Sequence, residues 1–528
     1  MSIRSPDGNA RVAGRLTAPL WAPAAPRRPR HAPLRESVSA DVVVVGGGIT
    51  GLSAALELAE AGKRVVLLEA RTLGVGTTGC TTGHVVEALD ARYARIEADF
   101  GARASRRVAE SCRDGIDRIA RRIERYAISC AFERLPGYLF TERADDADDL
   151  AAEHAAAARA GCRVSPVAVM SLPFAVSGVR FEAQAQLDVG AYLRGVEDAA
   201  IALGVRIFEQ SRVVSIDEAS TCTVRLENEA SVRGDFVLLA THAPLNRAFL
   251  QSKLVHYQSY VAAVRHEGIE RALFWDTASP YHYLRNAAPV GARYVVVGGE
   301  DHRTGTHEST RAHAERLMSY VRPRFGDVGA AFFWSARLIE SVDGLPYIGL
   351  NSSSDRVFVA TGFGGNGLTF GTLAAAMFGD FVRGEPNAYA DLYAPARVDA
   401  HRRGALVESG FEAASHAVID RVDSLQEISL GVLALDQGRV LRVNGRRLAV
   451  YRDPAGELHA VPAACAHLGC VVGFNDLERS WDCPCHGSRF GIDGAVLEGP
   501  AVRPLNEPGP QLVSVGPAPE MAPRASVR

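Results

Sequence analysis

Near its C-terminal end the chain reads CAHLGC, then VVGFNDLERSWD, then CPCHGSRF. Four cysteines and two histidines fall between Cys465 and His486. They divide into Cys465-x-His467 and Cys483-x-x-His486, with 15 residues between the two pairs. Two thiolates suit one iron and two neutral imidazoles suit the other, which is the mixed ligation of a [2Fe–2S] cluster. Zinc also accepts two Cys and two His, but zinc fingers place their cysteines in one half and their histidines in the other. Here each half holds both types. Cys470 and Cys485 remain over.

The stretch CAHLGC…CPCHGS resembles the Rieske proteins of respiratory and photosynthetic cytochrome complexes, over about residues 430–515. The resemblance implies that Cys465, His467, Cys483 and His486 hold a Rieske cluster. It also implies that Cys470 and Cys485 form a disulfide tying the two cluster loops together. Ser488 falls where that family donates a hydrogen bond to a bridging sulfide. High-potential members carry a tyrosine hydroxyl two residues later, where this chain has Phe490. Hydrogen bonds to sulfur stabilise the more negative reduced cluster, so the missing donor predicts a lower reduction potential. Potentiometric titration checks this. EGPAVRPL (498–505) matches the family's proline-rich loop over the cluster.

A second chemical pattern lies near the other end. In SADVVVVGGGITGLSAALELAEAGKRVVLLEA, an apolar run at Val42–Val45 leads into Gly46, Gly48 and Gly51. Helical spacing at Ile49, Leu52, Leu56 and Ala59 follows, then a second apolar run at Val65–Leu68. That is strand, turn, helix, strand, the dinucleotide-binding arrangement. Gly46 permits the tight turn, Gly48 the approach of a pyrophosphate, and Gly51 close helix–strand packing. Glu69 ends the second strand, where a carboxylate accepts from a ribose 2′-OH and repels a 2′-phosphate.

Three further stretches choose the nucleotide. GVGTTGCTTGHV (74–85), FVLLATHAP, and DGLPYIG before VATGFGGNGLTFG resemble the D-amino-acid oxidase, glycine oxidase and sarcosine oxidase superfamily of FAD enzymes, over roughly residues 40–395. The resemblance implies an α/β FAD-binding Rossmann-type domain, of the glutathione reductase and DAO kind, with an inserted antiparallel-sheet substrate domain. It places the segment holding Gly362, Gly364, Gly365, Gly367 and Leu368 against the flavin. It puts Val213 at the adenine, and Arg71, Thr78 and Cys80 among the cofactor contacts. Cys80 occupies the position where dimethylglycine and sarcosine dehydrogenases carry a histidine bonded to the flavin. The expectation is a non-covalent wall residue; His84 is a weaker candidate for attachment.

The superfamily oxidises C–N bonds, so an amine or amino-acid substrate is expected. Tyr283 and Arg285 in YHYLR are the candidates to touch it. An arginine there could pair bidentately with a substrate carboxylate. His282 reads as structural.

The elements that must position these groups are spread over 528 residues, enough for two or three domains. Residues 1–39 read as an irregular arm, 40–395 as the FAD domain and 396–425 as a helical linker. Residues 426–517 read as a small all-β Rieske domain and 518–528 as a disordered tail. Ala, Arg and Glu dominate between about 90 and 165, which suggests helices. A net charge of −3 argues against nucleic-acid and membrane partners, and no apolar run spans a bilayer. Cys80, Cys112, Cys130, Cys162 and Cys222 are scattered and odd in number, as free thiols in the cytoplasm would be.

The whole chain resembles bacterial FAD oxidoreductases that carry a Rieske domain. The expected circuit runs from substrate to FAD, to cluster, to an external ferredoxin-like carrier or quinone. Two rivals stand beside it. One reverses the flow, so that a reductase feeds the flavin through the cluster. The other is a non-enzymatic redox sensor.

Overall fold

The computed structural model describes residues 16–22, 29–245, 248–287, 292–306, 309–326, 329–351, 354–397 and 433–505. The predicted helical linker, beyond residue 397, and the predicted tail lie outside these residues. The chain divides into two compact units.

In the first unit, β1 (Val42–Val45) is a run of four valines, all buried, and it leads through the glycine turn into α1 (Ile49–Glu60). β2 (Val65–Leu68) pairs parallel to β1. A continuous apolar strand is stable only where both faces are covered, and here helices and a second sheet cover them. The sheet has six strands in the order Tyr347–Leu350, Val357–Thr361, Phe236–Leu239, β1, β2, Arg206–Phe208. Only the Tyr347–Leu350 edge runs antiparallel to its neighbour. A four-stranded sheet of Val38–Ser39, Ser231–Gly234, Cys222–Leu226 and Val213–Glu218 packs beside it. After β2 the chain forms the short helix α2 (Thr77–Cys80).

The third sheet is built mainly from β3 (Leu254–Arg265), β4 (His282–Ala287), β5 (Tyr294–Arg303) and β6 (Phe332–Ser341), all antiparallel. α3 (Thr310–Phe325) packs on one face of it, against β3 and β5. The helical reading of 90–165 holds for Tyr93–Phe100, Ala102–Arg125 and Ala147–Arg159, but Glu133–Thr141 is a nine-residue strand. It joins this sheet between Ser177–Gln186 and Leu273–Asp276, pairing parallel to the latter. Leu135, Leu139 and Phe140 are buried there, and Pro136 sits at a shift of register. Local composition hid a strand whose stability comes from its neighbours.

α4 (Gly367–Arg383) returns along α1. A Cβ on Gly371 would lie 2.7 Å from Thr50 Oγ1, so the two helices approach at a position only glycine allows.

The described part of the arm is fixed by specific contacts. Trp21 stacks edge-on to Trp334 at 5.4 Å and its indole N–H donates to the Gly79 carbonyl at 2.9 Å. Farther along, Glu209 accepts from the His31 and Leu73 backbone N–H groups at 3.0 and 2.7 Å.

The second unit is all antiparallel β. Gln437–Val443, Arg446–Arg452 and Leu458–Pro462 form one sheet. Gly473–Asn475, Ser480–Asp482, Arg489–Gly491 and Val496–Glu498 form the other. The first hairpin turns on Asn444–Gly445, both with positive φ, as a two-residue hairpin loop requires. Tyr451, Trp481, Phe490 and the four cysteines make its core.

Candidate functional site: a nucleotide cradle and a Cys/His pocket

Gly46 has φ +111°, and a Cβ there would lie 2.4 Å from the Ala240 carbonyl oxygen. A Cβ on Gly51 would lie 1.9 Å from the Gly46 carbonyl oxygen. Both glycines are therefore sterically required. Gly48 caps α1 without any side-chain hydrogen bond, and the Ile49 N–H donates to Thr78 Oγ1 at 3.1 Å. Thr78 thus ties α2 to the opening turn of α1. Glu69 is fixed at the end of β2. Its two oxygens accept from the Gly47 and Arg71 N–H groups, each at 2.8 Å. Each carboxylate oxygen has a second lone pair to offer. Val213 is buried at the start of its strand.

The second glycine segment makes a matching helix start. Gly362 and Gly364 have φ +76° and +54°. The Gly365 N–H donates to Asp90 Oδ2 at 2.6 Å, and Asn366 Nδ2 donates to the Ala88 carbonyl at 2.8 Å. α4 then begins at Gly367 and Leu368 with no side-chain cap, and a Cβ on Gly367 would meet nothing within 4 Å. Two helices thus begin without side-chain caps, each with positive dipole character at its start. These residues fit FAD: the start of α1 suits the pyrophosphate and the start of α4 an electron-rich ring edge.

A cavity of about 320 Å³ opens against Gly362–Gly364. Asp90, Tyr257, Arg303 and Glu340 also line it. Sequence reading missed all four. They come from a loop, β3, β5 and β6, and only the pairing of those strands gathers them. Burial, then Asp90, pushes the Glu340 carboxyl up to about 7. Asp301, two residues before Arg303, is also pushed up to about 7 by burial.

Of the predicted substrate contacts, Tyr283 is half-buried, with its hydroxyl 3.2 Å from Ser259 Oγ. Arg285 departs from expectation. It is 4% exposed, and its guanidinium donates to the carbonyls of Thr82, Leu187 and Asn286 and to Gln186 Oε1. It also lies over the Trp21 ring. Buried donors must be satisfied, and here backbone oxygens satisfy them. Arg285 therefore clamps the 82–84 loop and is not presented to a substrate carboxylate. His84 is pushed down to about 3 by burial and then by Arg285, so it stays neutral. His282 is buried between Asp276 and Glu300 and stacks on Tyr320 at 3.7 Å, which is structural placement.

Cys80 ends α2, and its carbonyl accepts from the Trp334 indole at 2.8 Å. Its side chain packs against the cluster of Leu20, Val261 and Trp334. Acid precipitation of the protein is expected to release all the yellow colour into the supernatant. Colour held in the pellet would mean a covalent link.

In the second unit two loops repeat one geometry. The Cys465 N–H donates to the Cys470 carbonyl at 2.8 Å and the Gly469 N–H to the Cys465 carbonyl at 2.9 Å. The Cys483 N–H donates to the Ser488 carbonyl at 2.8 Å and the Gly487 N–H to the Cys483 carbonyl at 3.0 Å. Cys470 and Cys485 are disulfide-bonded and join the loops. Cys465 and Cys483 are buried free thiols. The His467 and His486 rings stand 5.0 Å apart and perpendicular at 89°. Nδ1 of each is buried without a hydrogen-bond partner. Two buried imidazole nitrogens without partners, beside two thiols, fit the Rieske cluster.

The local electrostatics favour the ligand form of both imidazoles and of Cys465, while the hydrogen bond to Cys465 and burial push the Cys483 thiol well above its ordinary value. Burial, then His467, pushes His486 down to about 4, so its imidazole is neutral. A hydrogen bond from Cys483 holds Cys465 down to about 7. Ser488 is fully buried, and its hydroxyl accepts from the Ala501 N–H at 3.0 Å. Ser488 also hydrogen-bonds Cys465.

Arg489 follows, with 5% exposure, and pairs with Asp482 at 3.0 Å, Glu478 and Glu498. Removing one partner of a buried ion pair strands the other charges. Arg489→Met is expected to cost this unit about 3–5 kcal/mol. The loss of the cluster's visible circular dichroism on heating reads it out.

The FAD dependent oxidoreductase family, DAO, matches residues 41–380, and the Rieske [2Fe-2S] domain matches residues 430–509. The Rieske 2Fe-2S iron-sulfur protein YhfW of Bacillus subtilis is 29% identical over 488 residues, covering 91% of this chain and 95% of that protein. Gamma-glutamylputrescine oxidoreductase of Escherichia coli is 26% identical over 374 residues, covering 67% of this chain and 86% of that protein. The crystal structure of glycine oxidase from Geobacillus kaustophilus shares the fold with a TM-score of 0.58 and 19% identity, covering 68% of this chain and 99% of that one. Among the described residues no helix is long and apolar enough to cross a membrane. The chain belongs to the FAD-dependent oxidoreductase (DAO) family with a Rieske [2Fe–2S] domain following, and its cofactors are FAD and that cluster.

Proposed function

We propose that this protein dehydrogenates a C–N bond of an amine or amino acid and delivers the electrons through its cluster to an external acceptor. The observation that carries this reading is the cavity against Gly362–Gly364, in a chain that also holds a Cys₂His₂ cluster pocket. Bound FAD supplies two-electron acceptance from a carbon next to nitrogen, and the cluster supplies one-electron steps. The residues do the rest. The starts of α1 and α4 and Glu69 hold and polarise the flavin nucleotide. The cavity walls orient a neutral amine, which is what such chemistry needs more than a strong base. The relationship to gamma-glutamylputrescine oxidoreductase supports an amine substrate.

His467 is half-buried and Leu468 beside it is 54% exposed. This rim of the cluster pocket is where a ferredoxin-like carrier or a quinone would take electrons. The free buried thiols Cys112, Cys130, Cys162 and Cys222 support action in the cytoplasm.

Anaerobic stopped-flow with a panel of amines and amino acids tests the reading. Flavin absorbance should bleach first, and the reduced cluster's EPR signal should grow afterwards. If neither changes until a reductase is added, electrons run the other way.

A further inference from the structure

Three carboxylates gather on one side of the third sheet. Glu340 on β6 and Asp90 line the cavity directly. Asp301 stands on the same face of β5 as the cavity residue Arg303, since alternate strand residues share a face. Asp301 feels the charge of Glu340 and of Asp90, and Glu340 that of Asp90.

Asp301 carries the argument. Both of its carboxylate oxygens are shielded from solvent and neither meets a donor in good hydrogen-bond geometry, although the Ser259 hydroxyl lies close enough to favour its charged form. A buried acceptor left unmade is costly, and a buried carboxylate more so. Such a group calls for an explanation, and a ligand that brings donors supplies one. Asp90 is partly satisfied, by the Gly365 N–H.

Three cations act on these groups, Arg95 on Glu340, Arg92 on Asp90 and His282 on Asp301, and each is also engaged elsewhere. Arg95, which lines the cavity, is paired with Asp99 at 3.6 Å, His282 lies between Asp276 and Glu300, and Arg92 donates to the Asp276 carbonyl. Arg303 is exposed and stands across the strand pair from Tyr257, with which it interacts. Arg285 donates to backbone carbonyls, as described. The site therefore offers acceptors and negative charge. A substrate ammonium has three N–H donors and one positive charge to return. A substrate carboxylate would meet like charge instead, which is how a site rejects the wrong partner. Leu89, Phe363 and Phe370 line the same cavity and suit an aliphatic stem. Its volume, about 320 Å³, admits a small molecule.

We propose that Asp301, Glu340 and Asp90 form a recognition site for a second, protonated amine, so that the preferred substrate is a short aliphatic diamine and not a zwitterionic amino acid. This rests on the C–N oxidation reading for its meaning as substrate choice, but the recognition site can be measured apart from it.

The test is isothermal titration of the holoprotein under anaerobic conditions with compounds matched in length. These are the three-, four- and five-carbon diamines, the corresponding monoamines, and the corresponding ω-amino acids. At one length or more, the diamine should bind at least about tenfold tighter than the monoamine, with the amino acid weakest. In Asp301→Asn and in Glu340→Gln, that diamine-to-monoamine preference should fall below about twofold. Flavin absorbance and melting temperature establish that each variant is folded and loaded. Should both variants fail that check, the wild-type ranking decides alone. No diamine preference at any length overturns the proposal, as does a preference that survives in both folded variants.

Flavin bleaching in the same samples separates the two readings. Bleaching without diamine preference keeps C–N oxidation and removes the cation site. Diamine preference without any bleaching keeps the cation site and removes C–N oxidation.

Discussion

Cys483→Ser is expected to erase the cluster's EPR signal and to leave the flavin in place. Cys483 is 1% exposed, and its backbone is held by the Ser488 carbonyl and the Gly487 N–H, so serine fits the space. What changes is the donor. Iron–sulfur clusters are held by soft thiolates, and a serine hydroxyl does not ionise at neutral pH. Losing an outer-shell partner alone costs 10–100-fold in metal affinity, so losing a buried ligand should cost more than about a hundredfold. The kinetic consequence follows. Amine-driven bleaching of the flavin should persist, while turnover with a one-electron acceptor falls by more than about a hundredfold. If turnover holds at the wild-type rate without the EPR signal, the cluster is not on the electron path.

Gly51→Ala should yield a protein that purifies nearly colourless. The added Cβ would sit 1.9 Å from the Gly46 carbonyl oxygen and 3.2 Å from Val44 Cγ1. The first neighbour is backbone, inside the turn itself, and has no rotamer to move to. α1 must back away from β1, and its N–H groups leave the place where they meet the pyrophosphate. Overpacking of this kind costs about 1–3 kcal/mol. The loss of FAD should exceed that, because binding depends on position within the turn. Flavin absorbance per protein reads the occupancy, and the melting temperature reads the stability.

Both of these sites were legible from the residues alone, for a shared reason. The glycine turn sits between β1 and α1 with no long-range partner needed to define it. The cluster ligands lie in two loops whose spacing is itself the signal. The cavity was not legible. Asp301 in GGEDHR reads as one more surface charge, and only its place opposite β3 turns it inward. Asp90 and Glu340 are far apart in sequence, and each is an ordinary acid until the fold brings them to one wall. Arg285 shows the converse. Its residue type was right for a carboxylate, but its destination was set by carbonyls at Thr82 and Leu187, about which local sequence says nothing. Strand Glu133–Thr141 was hidden for the same reason, since a sheet pairs residues that composition keeps apart.

The anchoring of Trp21 has a practical side for whoever clones this gene. The family's similarity begins at residue 41, and trimming an expression plasmid to that point looks harmless. It would remove the indole that holds Gly79 and backs Trp334, and the ring beneath the Arg285 guanidinium. It would also take away the His31 N–H that Glu209 now accepts. A shortened product would also lack the edge strand Val38–Ser39; it should still express and form its other strands, yet shed its prosthetic group during chromatography. A pale, inactive preparation from such a clone would report the missing leader segment and say nothing against the enzyme.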